Sequence, residues 1–227
     1  MIAGVEKFDG VGMTSARTRT RMVERLREQG IRDETVLAAM SSVPRHIFVE
    51  EALAIRAYED SPLPIGAGQT ISQPYVVARM TELLRAGGQL HRVLEIGTGC
   101  GYQTAVLALV ADEVYTVERV GSLVAKARRN LRQLKVDNVR IKHGDGSTAL
   151  NEDLTVDGIL ITAAAREVPT GLLKHLSVGG RMVLPLAGRG DDDRGVQYLT
   201  VIEKAANGIR EQTHDAVRFV PLLPGLA

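Results

Sequence analysis

The sequence predicts a doubly wound α/β fold, a mostly parallel sheet with helices on both faces, preceded by a helical cap and closed by a C-terminal antiparallel hairpin. Three observations predict it. From residue 92 onward short apolar runs alternate with helix-like stretches; the first of these runs leads directly into a glycine-rich turn; and after Leu186 the alternation gives way to two strand-like runs joined at Asn207-Gly208.

The N-terminal third is helical. Residues 1–13 hold three Gly and no periodicity, so they read as a loose lead-in. From Ser15, Met22, Val23 and Leu26 recur at helical spacing until Gly30 stops the run. Its arginines (17, 19, 21, 25, 27) are interleaved with Glu24 and Glu28, the pattern of a solvated face. Asp33 caps a second helix with Val36, Leu37 and Met40 inward, and Pro44 follows its end.

Residues 60–74 hold three Pro and two Gly, and continue neither a helix nor a central strand. A loop of that length inside a compact chain is a candidate site by itself. Past Pro74 a helix runs to about Arg85, and Gly87-Gly88 end it.

The alternating core follows, with strands predicted at 92–96, 113–117, 139–143, 156–162 and 180–186 and helices at 102–110, 122–134 and 169–176. The closing hairpin is predicted from 196–203 and 213–221. The whole reads as one domain: cap 14–60, candidate site loop 61–75, core 76–188 and C-terminal hairpin 189–227.

Bulk composition narrows function. Lys plus Arg number 28 against 27 Asp plus Glu, so no net field draws the chain to nucleic acid or an anionic membrane. No apolar run reaches the roughly 18 residues of a membrane span, and the start carries no secretion signal. Cys100 is the single cysteine, read as structural, which excludes an internal disulfide and a thiolate metal cluster. A metal-free monomer in a reducing cytoplasm is expected.

The chemistry is carried by Glu95-Ile96-Gly97-Thr98-Gly99-Cys100-Gly101-Tyr102, a strand end passing into a helix. Glycines there let the backbone turn tightly and come close to a ligand. Glu118 ends the next strand about 20 residues on, where a Rossmann-like fold holds a ribose diol. The dinucleotide fingerprint needs a third glycine at 102, where Tyr102 stands. Glu95 beside the loop would repel a pyrophosphate and attract the ammonium of a methionine moiety, so S-adenosylmethionine is favoured over NAD. After the third strand, Asp145 between Gly144 and Gly146 is placed to accept from the adenine amino group. The fourth strand ends in Thr162 and alanines, with neither a polar amine-gripping segment nor a general base. The acceptor should therefore arrive already deprotonated, as a carboxylate does. Methyl transfer then rests on proximity and exclusion of water.

With Leu63-Pro64-Ile65-Gly66 followed by 68–74 (GQTISQP), these residues closely resemble the protein-L-isoaspartate O-methyltransferase family. Residues 93–102, 117–119, 144–146, 162–164 with Pro169, and 218–222 also match, so the resemblance runs from about Arg21 to the C-terminus. It implies an S-adenosylmethionine methyltransferase that esterifies the free carboxylate of isoaspartyl residues in damaged proteins, yielding S-adenosylhomocysteine. It assigns Ser72 as the active-site residue, hydrogen-bonding the acceptor carboxylate, with Gln69, Thr70 and Ile71 lining a shared cofactor and substrate pocket. It assigns Glu118 to the ribose hydroxyls, Asp145 to the adenine amino group, Gly97, Gly99 and Gly101 to the methionine end, and Ile71, Ser72 and Val220 to substrate; Glu95, Thr98, Arg119 and Gly146 complete the expected cofactor-binding set. The leading dozen residues and the acidic run 191–193 lie outside the shared pattern. A small-molecule or RNA methyltransferase on the same sheet is the alternative, and it would require a basic face and an amine-gripping fourth strand.

Overall fold

The computed structural model describes residues 10–146, 153–188 and 195–227. Most of the lead-in and the acidic run 191–193 lie outside the described residues. The cap contains α1 (Ala16–Glu28) and α2 (Glu34–Ser42), followed by two short 3₁₀ helices, Arg45–Phe48 and Glu51–Arg56, which the periodicity did not reveal. Ser15 caps α1 by accepting from the Thr18 N–H, and Asp33 caps α2 through the N–H groups of Thr35 and Val36. The expected inner faces are buried: Met22, Leu26, Val36 and Met40 are fully enclosed, in one cluster with Val93 and Leu160 of the sheet. Asp33 also accepts from Arg85 Nε at 2.8 Å, which ties the cap to the helix beyond the loop.

The loop is more ordered than its prolines suggest. β1 (Leu63–Gly66) and β2 (Gln69–Ile71) form a two-stranded antiparallel hairpin, with Gly66, Ala67 and Gly68 all at positive φ in its turn. Pro is compatible with an isolated pair of this kind, where no central ladder demands its missing N–H. Helix α3 (Pro74–Arg85) starts with proline at its first turn, as expected.

The main sheet has the order β5-β4-β3-β6-β7-β8-β9. Strands β3 (Leu90–Ile96), β4 (Ala111–Glu118), β5 (Val139–His143), β6 (Val156–Ile161) and β7 (Leu176–Ala187) are parallel. β8 (Gln197–Ala205) and β9 (Gly208–Val217) complete it antiparallel. Helix α4 (Tyr102–Leu107) stops three residues early, and α6 (Thr170–Leu173) is a single turn because β7 already begins at Leu176. The Gly179-Gly180 pair concealed that start. Val156 and Gly158 of β6 pair with Leu176 and Arg181, so the register slips through extra residues on β7, where a Cβ at 180 would lie 2.8 Å from the Asp157 carbonyl and the close approach requires glycine. The last strand ends at Val217, leaving 218–222 as an extended segment that follows the sheet's carboxyl edge.

Strand order reverses at β3, with β4 on one side and β6 on the other. In a doubly wound sheet the crevice beyond the strand ends at such a switch point holds the ligand. Among the described residues no helix is long and apolar enough to cross a membrane.

Candidate active site

At the switch point β3 delivers Gly97 and β6 delivers Thr162. Thr162 Oγ1 donates to the Gly97 carbonyl at 2.7 Å, and a Cβ on Gly97 would come within 2.3 Å of that oxygen. With φ at +97°, position 97 is restricted twice over. Gly99 and Gly101 also have positive φ, and Gly101 packs on Ala127 of α5 (Gly121–Gln133). A Cβ on Gly146 would meet Ile96 Cγ2 at 2.3 Å.

Gly97, Gly99 and Gly146 floor a crevice with about 670 Å³ of free space, walled by Ile65, Gln69, Thr70, Glu118, Val120 and Val220, whereas Gly101 turns toward Ala127 and Leu131 and is not part of its lining. Glu118 is nearly buried, its Oε2 accepting from Gly99 N at 2.8 Å and its Oε1 from Val120 N at 2.9 Å. Each oxygen has a second lone pair, so the carboxylate retains acceptor capacity toward the crevice it lines. A glycine floor and an acceptor pair at the tip of the second strand fit an adenosine-bearing donor.

Glu95 is placed differently from its expected position. It is fully buried beneath the glycine loop and does not line the crevice; its Oε2 accepts from the hydroxyls of Thr104 at 2.5 Å and Thr116 at 2.6 Å. Burial pushes its pKa up to about 8, against the two hydroxyl bonds that favour the ionised form. The reason is the pleat: Glu95 sits among four consecutive buried positions of a strand covered on both faces. It supports the loop from below, because Thr116 also meets the Thr98 hydroxyl at 2.6 Å.

Asp145 and Arg119 are engaged by the C-terminal tail. Asp145 Oδ2 accepts from Gly225 N at 2.6 Å, and Arg119 Nε donates to the Gly225 carbonyl at 2.9 Å. Ala227 bonds Arg119 and Gly121 through its own N–H and carbonyl. Arg119 lines the crevice together with Leu222 and Leu223 of that tail, while Asp145 stands just outside it beside Gly146, which does line it.

A second cavity, with about 1350 Å³ of free space, opens next to the crevice. Its walls come from the loop (Pro62, Thr70, Ser72, Gln73), from α3 (Tyr75, Val76), from Thr162 and from residues 216–220. Thr70 and Thr162 line both spaces, and Ser72 lines the second along with a smaller recess over Gly97, Gly99 and Thr98. Ile71 faces that recess and is buried, which holds Ser72 at the junction. The loop is tied at its base by Asp60, whose carboxylate accepts from Tyr75 N, and near its turn by Lys126 Nζ donating to the Ile65 carbonyl at 3.0 Å.

Sequence reasoning missed Thr162, Ile65, Tyr75 and the tail residues. Thr162 was accessible to it, since the last residue of the strand beside the switch point has to face the ligand. It also missed Arg45, which is fully buried in the cap, donates from Nε to the Ala57 carbonyl and lies 4.8 Å over the Tyr102 ring at the start of α4.

Comparison with known proteins agrees with this geometry. The family model for protein-L-isoaspartate(D-aspartate) O-methyltransferase matches residues 17–226. The protein-L-isoaspartate O-methyltransferase of Methylobacillus flagellatus is 59% identical over 220 residues, covering 96% of this chain and 97% of the relative. That of Nitrosomonas europaea is 57% identical over 221 residues, covering 96% and 97%. A solved beta-aspartate methyltransferase from Plasmodium falciparum, in complex with S-adenosyl-L-homocysteine, superposes with a TM-score of 0.74 at 29% identity, covering 90% of this chain and 98% of its own. With a glycine-floored crevice opening onto a Ser72-lined cavity, and a match across nearly its whole length, the chain belongs to the protein-L-isoaspartate(D-aspartate) O-methyltransferase family.

Proposed function

We infer that this chain transfers a methyl group from S-adenosylmethionine to the free carboxylate of L-isoaspartyl residues in damaged peptides and proteins, initiating their repair. One observation carries the reading: the second cavity meets the donor crevice at Thr70 and Thr162, and among the described residues its lining contains no carboxylate and no histidine. No side chain there can take a proton at neutral pH, so the acceptor must already be an anion, and a carboxylate with a pKa of about 4 is one.

The bound donor supplies an electrophilic methyl carbon on a sulfonium, which the acceptor oxygen attacks as the carbon–sulfur bond breaks. The residues of this chain hold the two partners. Gly97, Thr98, Gly99 and Gly101 cradle the methionine end through their backbone. Glu118 takes the ribose hydroxyls with its remaining lone pairs, and Gly146 admits the adenine face. Asp145 and Arg119 shape that end through the tail they hold. Ser72 donates its hydroxyl to the acceptor oxygen that does not react, while Gln69, Thr70 and Ile71 close the shared wall and keep water out. Val220 contacts the substrate peptide.

The enzyme works as a monomer in the cytoplasm and acts on protein; the near balance of charge supports a protein substrate over nucleic acid. The test offers paired peptides differing only in an Asp or isoAsp linkage, with methyl-labelled cofactor. Base-labile label confined to the isoAsp peptide is expected. Equal labelling of both peptides, or labelling of RNA in their place, would overturn the reading in favour of the RNA or small-molecule alternative.

A further inference from the structure

We propose that Arg218 selects among isoaspartyl substrates by pairing with an acidic side chain that flanks the damaged residue. The proposal rests on the function inferred above and adds to it a preference that the methyl-transfer chemistry does not require.

Arg218 is the one charged residue lining the acceptor cavity, and it makes no hydrogen bond or ion pair among the described residues. The neighbouring carboxylates already have hydrogen-bond partners of their own. Asp215 accepts from Arg79 Nε at 3.0 Å and from the Tyr75 hydroxyl at 3.3 Å, and Arg79 also donates to Glu82 at 2.9 Å. Asp60, at the base of the loop, takes the Tyr75 N–H and the Gln29 amide. His214 is held below its usual pKa by burial and by Arg79, so it is neutral at pH 7. The Arg218 guanidinium is therefore left without a direct partner at the mouth of the cavity.

The backbone that carries Arg218 is fixed even though the side chain is not. Gln197 clamps Phe219 on both sides, its Oε1 accepting from Phe219 N at 2.6 Å and its Nε2 donating to the Phe219 carbonyl at 3.2 Å. Val220 and Leu222 are bonded to Ala164, beside the β6 terminus that carries Thr162. The guanidinium thus hangs from a rigid rail on the cavity that Ser72 also lines. A free guanidinium at a rim steers and discriminates anions, and its effect falls with added salt.

The experiment compares kcat/KM for three isoaspartyl peptides that differ in one flanking residue, Glu, Gln or Lys, at low and high salt. The wild-type protein is expected to favour the Glu peptide over the Lys peptide by roughly 3- to 10-fold at low salt, and less at high salt. Arg218→Gln should bring the ratio to about one, and Arg218→Glu should invert it. Adenosylhomocysteine affinity and the melting temperature report that each variant is folded. A wild-type ratio near one overturns the proposal, as does an unchanged ratio in Arg218→Gln. If all three peptides lose rate in proportion in Arg218→Gln, the guanidinium holds a feature common to every substrate and the proposal also fails. If the wild-type protein labels none of the three, the inferred function has failed, and that result is distinct from any ratio.

Discussion

The donor crevice and the acceptor cavity share a wall but are built on opposite plans. On the donor side nearly every polar group is already committed: Glu118 to two backbone N–H groups, Thr162 to two carbonyls, Thr98 and Thr116 to each other above Glu95. On the acceptor side the side chains of Thr70, Ser72 and Gln73 make no hydrogen bond among the described residues. The first surface is preorganised by the sheet, and the second is left unsatisfied for its ligand. Substitutions on the donor side should therefore damage cofactor binding through the scaffold. Those on the acceptor side should change turnover and leave cofactor affinity intact.

Gly97→Ala tests the donor half hardest. The positive φ costs an alanine about 1–2 kcal/mol, and the new Cβ displaces a hydroxyl whose one proton is shared between two carbonyls, at about 1 kcal/mol. Calorimetry should show adenosylhomocysteine affinity falling by roughly 30- to 150-fold. Adding Thr162→Ala should recover part of the loss by removing the collision, with the φ strain remaining. Full recovery would mean the backbone constraint is absent.

Glu118→Ala comes next, with affinity for adenosylhomocysteine expected to fall by about 2–3 kcal/mol as charge-assisted acceptors vanish and the Gly99 and Val120 N–H groups lose their partner. Unchanged affinity would move the ribose away from β4. Ser72→Ala should lower kcat by about 10-fold, one hydrogen bond to a charged group, with cofactor affinity unchanged. A parallel loss of cofactor affinity would erase the distinction between the two halves.

The same contrast explains what was legible in the sequence. The donor half is a local pattern: strand, glycines, helix, strand and acidic residue fall within about 25 consecutive residues, so spacing alone placed Gly97, Gly99 and Glu118 on one crevice, with Gly101 packed on α5 beside it. The acceptor half joins residues 62–76, 162 and 216–220, which meet only because β6 lies beside β3 and the chain returns along the sheet edge. Periodicity carries no trace of that meeting, so Thr162 reads only as a strand end with no place in the site, and Tyr75 is not singled out. The loop hairpin was hidden by its prolines, the start of β7 by Gly179-Gly180, and the role of the tail by the lack of pattern in 222–227. Glu95 is the opposite case, a correct motif with a misplaced side chain, because spacing identifies which residue precedes the glycines without indicating which side of the strand is buried.

Glu95 gives the smallest expected change in catalysis and the sharpest test of whether the donor half is scaffold or contact surface. Its carboxyl is enclosed, with a pKa raised from 4.5 to about 8, so the folded protein holds a proton there that the unfolded chain releases above about pH 4.5. The sign follows: the folded state is favoured most below pH 4.5, and this group's contribution is lost progressively as pH rises from about 4.5 to about 8. Glu95→Gln keeps an oxygen for the Thr104 and Thr116 hydroxyls and removes the titration. Wild type should therefore lose stability relative to Glu95→Gln across that window, on the order of 2–5 kcal/mol, in melts taken from pH 5 to pH 9. Turnover and adenosylhomocysteine affinity at pH 7 should stay within about 3-fold. A stability difference independent of pH would show that the carboxyl titrates normally and is wetter than its enclosure implies. A folded Glu95→Gln protein that had lost its cofactor affinity would return Glu95 to the crevice, opposite the methionine ammonium. The donor half would then bind through a charge beneath its loop as well as through backbone and ribose contacts.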